Sequence, residues 1–113
     1  MRIAVDLDGT ISADPAFFRR MLRDWMEGDD QVFILTGNPE GDKELAQLGF
    51  IKGRDYTSCV VVPRRKIARF KLEFMRQAGI SHLIDNRDKT VKKIQKAGLT
   101  ALHYMAPDAK SER

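Results

Sequence analysis

Two carboxylates, Asp6 and Asp8, flank Leu7 at the end of a short apolar run, Ile3 to Val5. The run reads as a buried strand. On an extended segment, residues two apart point to the same side. Two carboxylates held together away from water are costly unless a cation or a shared proton compensates them. Gly9 follows, and it lets the chain leave the strand in a conformation that other residues resist. On these residues alone the segment is a metal site, an acid/base pair, or a strand running into a polar turn. A further acid, Asp85, ends a second short run, His82 to Ile84.

The elements that must position these acids alternate in type. Asp14-Pro15 reads as a helix start, with Asp as cap and Pro in the first turn. Phe17, Phe18, Met21, Leu22, Trp25 and Met26 recur at helical spacing, which predicts an amphipathic helix from Pro15 to about Glu27, closed by Gly28. Gln31 to Leu35 reads as a strand, punctuated by Thr36-Gly37-Asn38-Pro39. A helix over Glu40 to Leu48 and a polar connector, Phe50 to Thr57, come next. Ser58 to Val62 is β-branched and reads as a third strand, broken by Pro63. Ile67, Phe70, Phe74 and Met75 mark a third helix that stops before Gly79. After the fourth strand, Asp88 to Ala97 reads as a helix with Val91 and Ile94 inward and Lys92, Lys93 and Lys96 outward. Thr100 to Tyr104 is a fifth strand, and Ala106 to Arg113 a polar tail. Strands alternating with helices predict an α/β fold: a parallel sheet with helices on both faces.

The totals bound the possibilities. A chain of 113 residues reads as one domain, residues 1–113, with a small core. With 42% hydrophobic and 32% charged residues, it is globular rather than disordered. No apolar run approaches the ~20 residues of a membrane span. Met1-Arg2 leads into only a few apolar residues, so no secretory signal is expected. One cysteine, Cys59, excludes an internal disulfide and points to a reducing, cytoplasmic setting. Lying beside Val60, Val61 and Val62, it reads as a core residue. The net charge of +4 suits phosphate-bearing partners, and it suits an ordinary soluble surface equally well.

Asp6-Leu7-Asp8-Gly9-Thr10 resembles the first motif, DxDGT, of the haloacid dehalogenase (HAD) superfamily of phosphotransferases. Thr36 stands where that family's second motif places Thr or Ser. Lys71-Leu72-Glu73-Phe74, followed by Gly79-Ile80-Ser81-His82-Leu83-Ile84-Asp85, resembles the K-x-x-F…G-I-x-H-x-I-D-D run of its small phosphatases. The resemblance covers Arg2 to about Tyr104. It implies a three-layer, Rossmann-like core whose five parallel strands lie in the order 5-4-1-2-3. Ligands in such sheets sit in the crevice beyond the carboxyl ends of the strands, where Asp6, Asp8 and Asp85 would converge.

The resemblance also implies a chemistry: Mg²⁺-dependent hydrolysis of a phosphomonoester through an aspartyl-phosphate. Asp6 would be the nucleophile. Asp8 would protonate the leaving oxygen and then activate water. The Thr36 hydroxyl, the Gly37 N–H and a lysine would hold phosphoryl oxygens. Lys71 is the first choice for that lysine, and Lys66, nearer the helix start, is its rival. Mg²⁺ would be held by Asp6, the backbone carbonyl of Asp8, and Asp85.

Two departures matter. Related sequences read Ile-Asp-Asp where this chain reads Ile84-Asp85-Asn86, so an amide stands in for a second acid. Asp88 could supply the missing charge, but more simply caps the fourth helix. The intervals Ile11 to Leu35 and Gly37 to Arg65 are just long enough for core elements, so no cap domain is expected. An open site suits large phosphorylated substrates, such as nucleic-acid ends or proteins, or small ones, such as a nucleotide, closed off by a second subunit in a homo-oligomer. The Ile-Asp-x-Arg run resembles phosphatase domains that act on nucleic-acid 3′ ends. The alternative reading is a HAD-fold domain that binds a phospho-ligand or regulates, with little turnover. His82 and His103 read as structural.

Overall fold

The computed structural model describes residues 1–106. Five strands form one parallel sheet: β1 (Arg2–Asp6), β2 (Gln31–Thr36), β3 (Ser58–Val61), β4 (His82–Asp85) and β5 (Thr100–His103). Their order is β3-β2-β1-β4-β5, which is the expected 5-4-1-2-3 read from the other edge. Four helices connect them: α1 (Pro15–Glu27), α2 (Gly41–Gln47), α3 (Ile67–Ala78) and α4 (Asp88–Lys96). No helix among the described residues is long and apolar enough to cross a membrane.

Strand alternation sorts the core into two layers. Ile3, Val5, Val32 and Ile34 face one side and pack with Phe18 and Leu22 of α1 and Leu45 of α2. Ala4, Leu35, Leu83 and Ala101 face the other and pack with Leu72 and Met75 of α3 and Val91 and Ile94 of α4. Both faces of the sheet are covered, as a parallel sheet requires. Connections are short: a 3-10 turn (Ile11–Ala13) and α1 lie between β1 and β2, and α2 with the polar connector lies between β2 and β3.

Local sequence explains most boundaries. Asp14 caps α1 through its side chain, which accepts from the Phe17 N–H, and Pro15 opens the helix. Phe17, placed on the apolar stripe by spacing, is exposed instead; Phe18 carries the burial. α3 ends on Gly79 at φ +67°. Asp88 is not the cap of α4: it is the first helical residue, makes no capping bond, and pairs with Lys92 at 2.9 Å. The capped position is Arg87, whose N–H is already held by the Asp85 carboxylate. The polar connector before β3 is built on a turn around Gly53, with Phe50, Asp55 and Tyr56 buried. Cys59 is half-buried against the first layer, and burial pushes its thiol up to about 11, so it is protonated near neutrality. Of the polar tail, residues 107–113 lie outside the described residues.

Candidate active site

Register brings the acids level. Asp6 pairs with Leu35 of β2, and Val5 pairs with Ile84 of β4. Asp6, Thr36 and Asp85 therefore end three adjacent strands at the carboxyl edge of the sheet. Lys71 reaches them from α3. Its Nζ donates to Asp6 Oδ1 at 2.8 Å and to Asp85 Oδ2 at 2.8 Å, and its side chain is wholly buried. Lys66 does not join them; it is exposed before α3, with φ at +59°.

The second oxygen of Asp6 is also engaged. Thr10 Oγ1 donates to Oδ2 at 3.2 Å. Asn86, with its amide turned so that nitrogen faces acceptors, donates to Asp6 Oδ2 at 2.9 Å and to the Asp8 carbonyl at 3.1 Å. Gly9 makes this approach possible. It sits at φ +82°, and a Cβ there would collide with the Asn86 amide. Asp85 Oδ1 accepts from the Arg87 N–H at 3.0 Å. The buried cluster is thus fully hydrogen-bonded, yet two carboxylates face one ammonium.

That imbalance appears in the proton affinity of Asp6. Burial is the largest influence and pushes its carboxyl up; the neighbouring Asp85 adds to the push, and Lys71 only partly offsets it, leaving a value of about 6. Asp8 stands apart. β1 ends at Asp6, so the period-two rule that put both carboxylates on one side no longer applies to Asp8. Its side chain is exposed on the turn, and it is its carbonyl that turns toward the cluster. Thr36 is buried, and its Oγ1 accepts from the Asn38 N–H at 3.0 Å, which leaves the hydroxyl proton to donate. His103 contacts the Asn86 carbonyl and His82 contacts Ser81, both outside the cluster.

Among the described residues no three His, Cys, Asp or Glu side chains converge as a ready metal cage. The reason is visible in the cluster: Lys71 stands between Asp6 and Asp85, and Asp8 offers a carbonyl rather than a carboxylate. Even so, Asp6 Oδ2 and the Asp8 carbonyl converge on one point, held by the Asn86 amide. Turning that amide would present oxygen instead of nitrogen, which is the donor a hard cation takes. With the amide so turned, the donor set would be all oxygen, the chemistry that a hard divalent cation takes.

Two features of the candidate site escaped the sequence reading. Thr10, in contact with Asp6, lay inside the first motif and could have been singled out. The Asn86 bridge could not, because it joins residues on separate strands.

The sequence matches no family model and no curated protein. Solved structures share the fold. An uncharacterized protein from Corynebacterium glutamicum superposes with a TM-score of 0.68 at 16% identity, over 92% of this chain and 84% of that one. A chain of the Pnkp1/Rnl/Hen1 RNA repair complex gives 0.67 at 19% identity, over 95% of this chain and 43% of that one. A HAD family enzyme from Bacteroides thetaiotaomicron, an Asp-to-Ala variant in complex with magnesium and inorganic phosphate, gives 0.58 at 17% identity, over 87% and 57%. The chain shares with these structures a five-stranded parallel α/β fold.

Proposed function

We propose that this domain, residues 1–113, is a Mg²⁺-dependent phosphomonoester hydrolase that works through an aspartyl-phosphate on Asp6. The observation that carries the reading is the buried contact of Lys71 with both Asp6 and Asp85 at the carboxyl edge of the sheet. It keeps a carboxylate aimed and restrained at the crevice where parallel sheets bind ligands. The fold shared with a magnesium- and phosphate-bound HAD enzyme supports it.

In this mechanism an Asp6 oxygen attacks phosphorus and the bond to the leaving oxygen breaks. Asp8, exposed on the turn beside Asp6, gives its proton to the leaving oxygen. It then takes a proton from the water that hydrolyses the acyl phosphate. The Thr36 hydroxyl, the Gly37 N–H and the Lys71 ammonium donate to the phosphoryl oxygens. Asp6 and Asp85 against Lys71 leave one negative charge in the cluster, the wrong sign to receive a phosphate. A divalent cation, when bound, would supply the missing positive charge. Asp6, the Asp8 carbonyl and Asp85 would hold it, with the Asn86 amide turned to present oxygen. Asp85 would use its remaining lone pairs, since both its oxygens already accept bonds.

The substrate class we propose is a nucleotide or nucleic-acid phosphate end, in keeping with the absence of a cap among the described elements and with the fold shared with an RNA-repair chain. The single cysteine suits a cytoplasmic setting. The test is release of inorganic phosphate from an aryl phosphate with and without Mg²⁺, followed by phosphorylated nucleotides and oligonucleotides. Mg²⁺-dependent release is expected; none at millimolar Mg²⁺ on any of these would overturn the reading. One observation favours a second reading, a phospho-ligand binding or regulatory domain: Asn86, not an acid, closes the cation position.

A further inference from the structure

Beside the carboxylates lies a groove of about 570 Å³ between the amino ends of α3 and α4. Its rim is basic, with Arg64 and Lys66 before α3 and Arg87 and Lys89 at the start of α4. Its floor is apolar, formed by Ile67 and Ala68. The groove adjoins the candidate site on two sides. Arg64 Nε donates to the Gly37 carbonyl at 2.9 Å. A Cβ on Gly37 would meet Arg64 Cγ at 2.8 Å and Ile67 Cδ1 at 3.1 Å, so glycine lets the turn after Thr36 lie against the groove wall. Opposite, Arg87 directly follows Asn86, and its N–H is held by Asp85.

All four basic side chains are exposed, and none is in an ion pair among the described residues. The one acid at the rim, Asp88, is taken by Lys92 at 2.9 Å. Lys66 holds φ at +59°, a left-handed conformation that costs a non-glycine residue energy. Lysine stands here at a backbone angle that glycine adopts without strain. Concentrated charge of one sign in a hollow focuses its field on a polyanion.

A small phosphomonoester would be satisfied by Thr36, Gly37 and Lys71 and would leave these four cations unanswered. A strand of nucleic acid answers both parts of the groove. Its backbone phosphates meet the basic rim, and its sugars and bases lie on Ile67 and Ala68. We propose that the groove binds a single strand of nucleic acid leading away from the candidate site. That the strand ends in a phosphate at Asp6 rests on the phosphatase reading; the groove does not. A hollow of this volume takes a few nucleotides of one strand and no duplex.

The experiment is fluorescence anisotropy of a dye-labelled, ten-nucleotide single strand with a terminal phosphate, in RNA and DNA forms, titrated with the full chain at several salt concentrations. The variant is Lys66→Gly combined with Lys89→Ser. Glycine adopts the backbone angle at 66 without strain, and serine suits the first turn of α4, so a melt should show the fold retained. The wild type is expected to bind the strand at least tenfold tighter than the matching mononucleotide. The double variant should bind at least tenfold more weakly, with a log-affinity against log-salt slope shallower by about 1.4, two phosphate contacts at about 0.7 each. Variant-sensitive binding of either sugar form supports the groove. Strand affinity no better than the mononucleotide's overturns it, as does an affinity and slope unmoved by the double variant, or equal competition by a phosphoserine peptide. Turnover is read separately. Binding as described without phosphate release overturns the phosphatase reading and leaves the groove standing. Hydrolysis of an aryl phosphate with no strand binding overturns the groove alone.

Discussion

Asp6 and Asp55 are both buried carboxylates held by basic side chains, yet their surroundings push them in opposite directions. Asp55 sits in the connector before β3. Its Oδ1 accepts from Arg23 Nε at 3.0 Å, and its Oδ2 from an Arg54 terminal nitrogen at 2.9 Å and the Ile51 N–H at 2.8 Å. Burial works against its charge, but the hydrogen bonds from Arg54, Ile51 and Arg23 outweigh it and hold the carboxyl below the usual range. One acid meets two cations, and those arginines are 38% and 43% exposed, so water screens the surplus charge. At Asp6 the count is reversed. Two acids meet one lysine, and all three are buried. Burial disfavours the surplus negative charge, and the proton affinity of Asp6 rises. A charge cluster satisfied on its own terms ties a loop to α1. A cluster left one charge short carries a perturbed carboxyl, the mark of a candidate functional site.

The sharpest test of that contrast is Asp6→Asn. Turnover should fall by at least ~10³-fold, because the attacking oxygen anion is gone. The fold should not suffer. The new amide can accept from Lys71, and Asn86 can turn its oxygen toward the new nitrogen. Without metal, the variant should melt higher than the wild type above pH 6. In the wild type the folded Asp6 keeps a proton up to about pH 6, while the unfolded one loses it near 3.8. Its contribution to stability therefore falls as pH rises between those values. The advantage of the variant should shrink toward pH 4. Wild-type turnover, or a lower melt at pH 7, would break the comparison.

Lys71→Met removes the ammonium that lies between two buried carboxylates. A loss of roughly 3–5 kcal/mol is expected by denaturant titration at neutral pH. Adding Asp85→Asn should recover part of it, because one unpaired charge is removed. Equal stability of the two variants would show that Asp85 is not held by Lys71.

Asp55→Asn should cost about 2 kcal/mol near neutrality, since a charged acceptor loses its charge while the hydrogen-bonded frame persists. The sign with pH is opposite to that at Asp6. The lowered folded value means that the stabilisation is present above about 3.8, the unfolded value, and is lost as pH falls through the folded one. Melts of variant and wild type should converge in strong acid. A gap that widens on acidification would reverse the assignment.

The smallest effect is expected at Asn86. Asn86→Asp gives the proposed cation position a third carboxylate beside Asp6 and Asp85, and Mg²⁺ affinity should rise roughly tenfold. A melting titration reads this without turnover, because a ligand of the folded state raises the midpoint by mass action. No response to Mg²⁺ in either protein would favour the phospho-ligand binding reading.

The strands, the helices and the gathering of acids at the end of β1 are legible along the chain. Those are local facts. Asp14 with Pro15 starts α1, an apolar stripe carries it to Glu27, and alternation along β1 and β2 sends side chains to two faces. The strand order came from a motif resemblance rather than from periodicity, and the sheet bears it out. Other matters were decided only by tertiary structure. The choice between Lys66 and Lys71 was open along the chain, since both are lysines near one helix; only the packing of α3 on the sheet buries one against Asp6 and leaves the other on a groove. Asp55 was invisible inside a polar connector because its partners, Arg23 and Arg54, come from a helix and a turn with no shared period. The Asn86 amide meets Asp6 and the Asp8 carbonyl only because β4 lies beside β1 with Asp85 level with Asp6. Local pattern reports which face a residue takes. Charge pairing and burial depend on what lies across that face, and the folded chain alone brings those partners together.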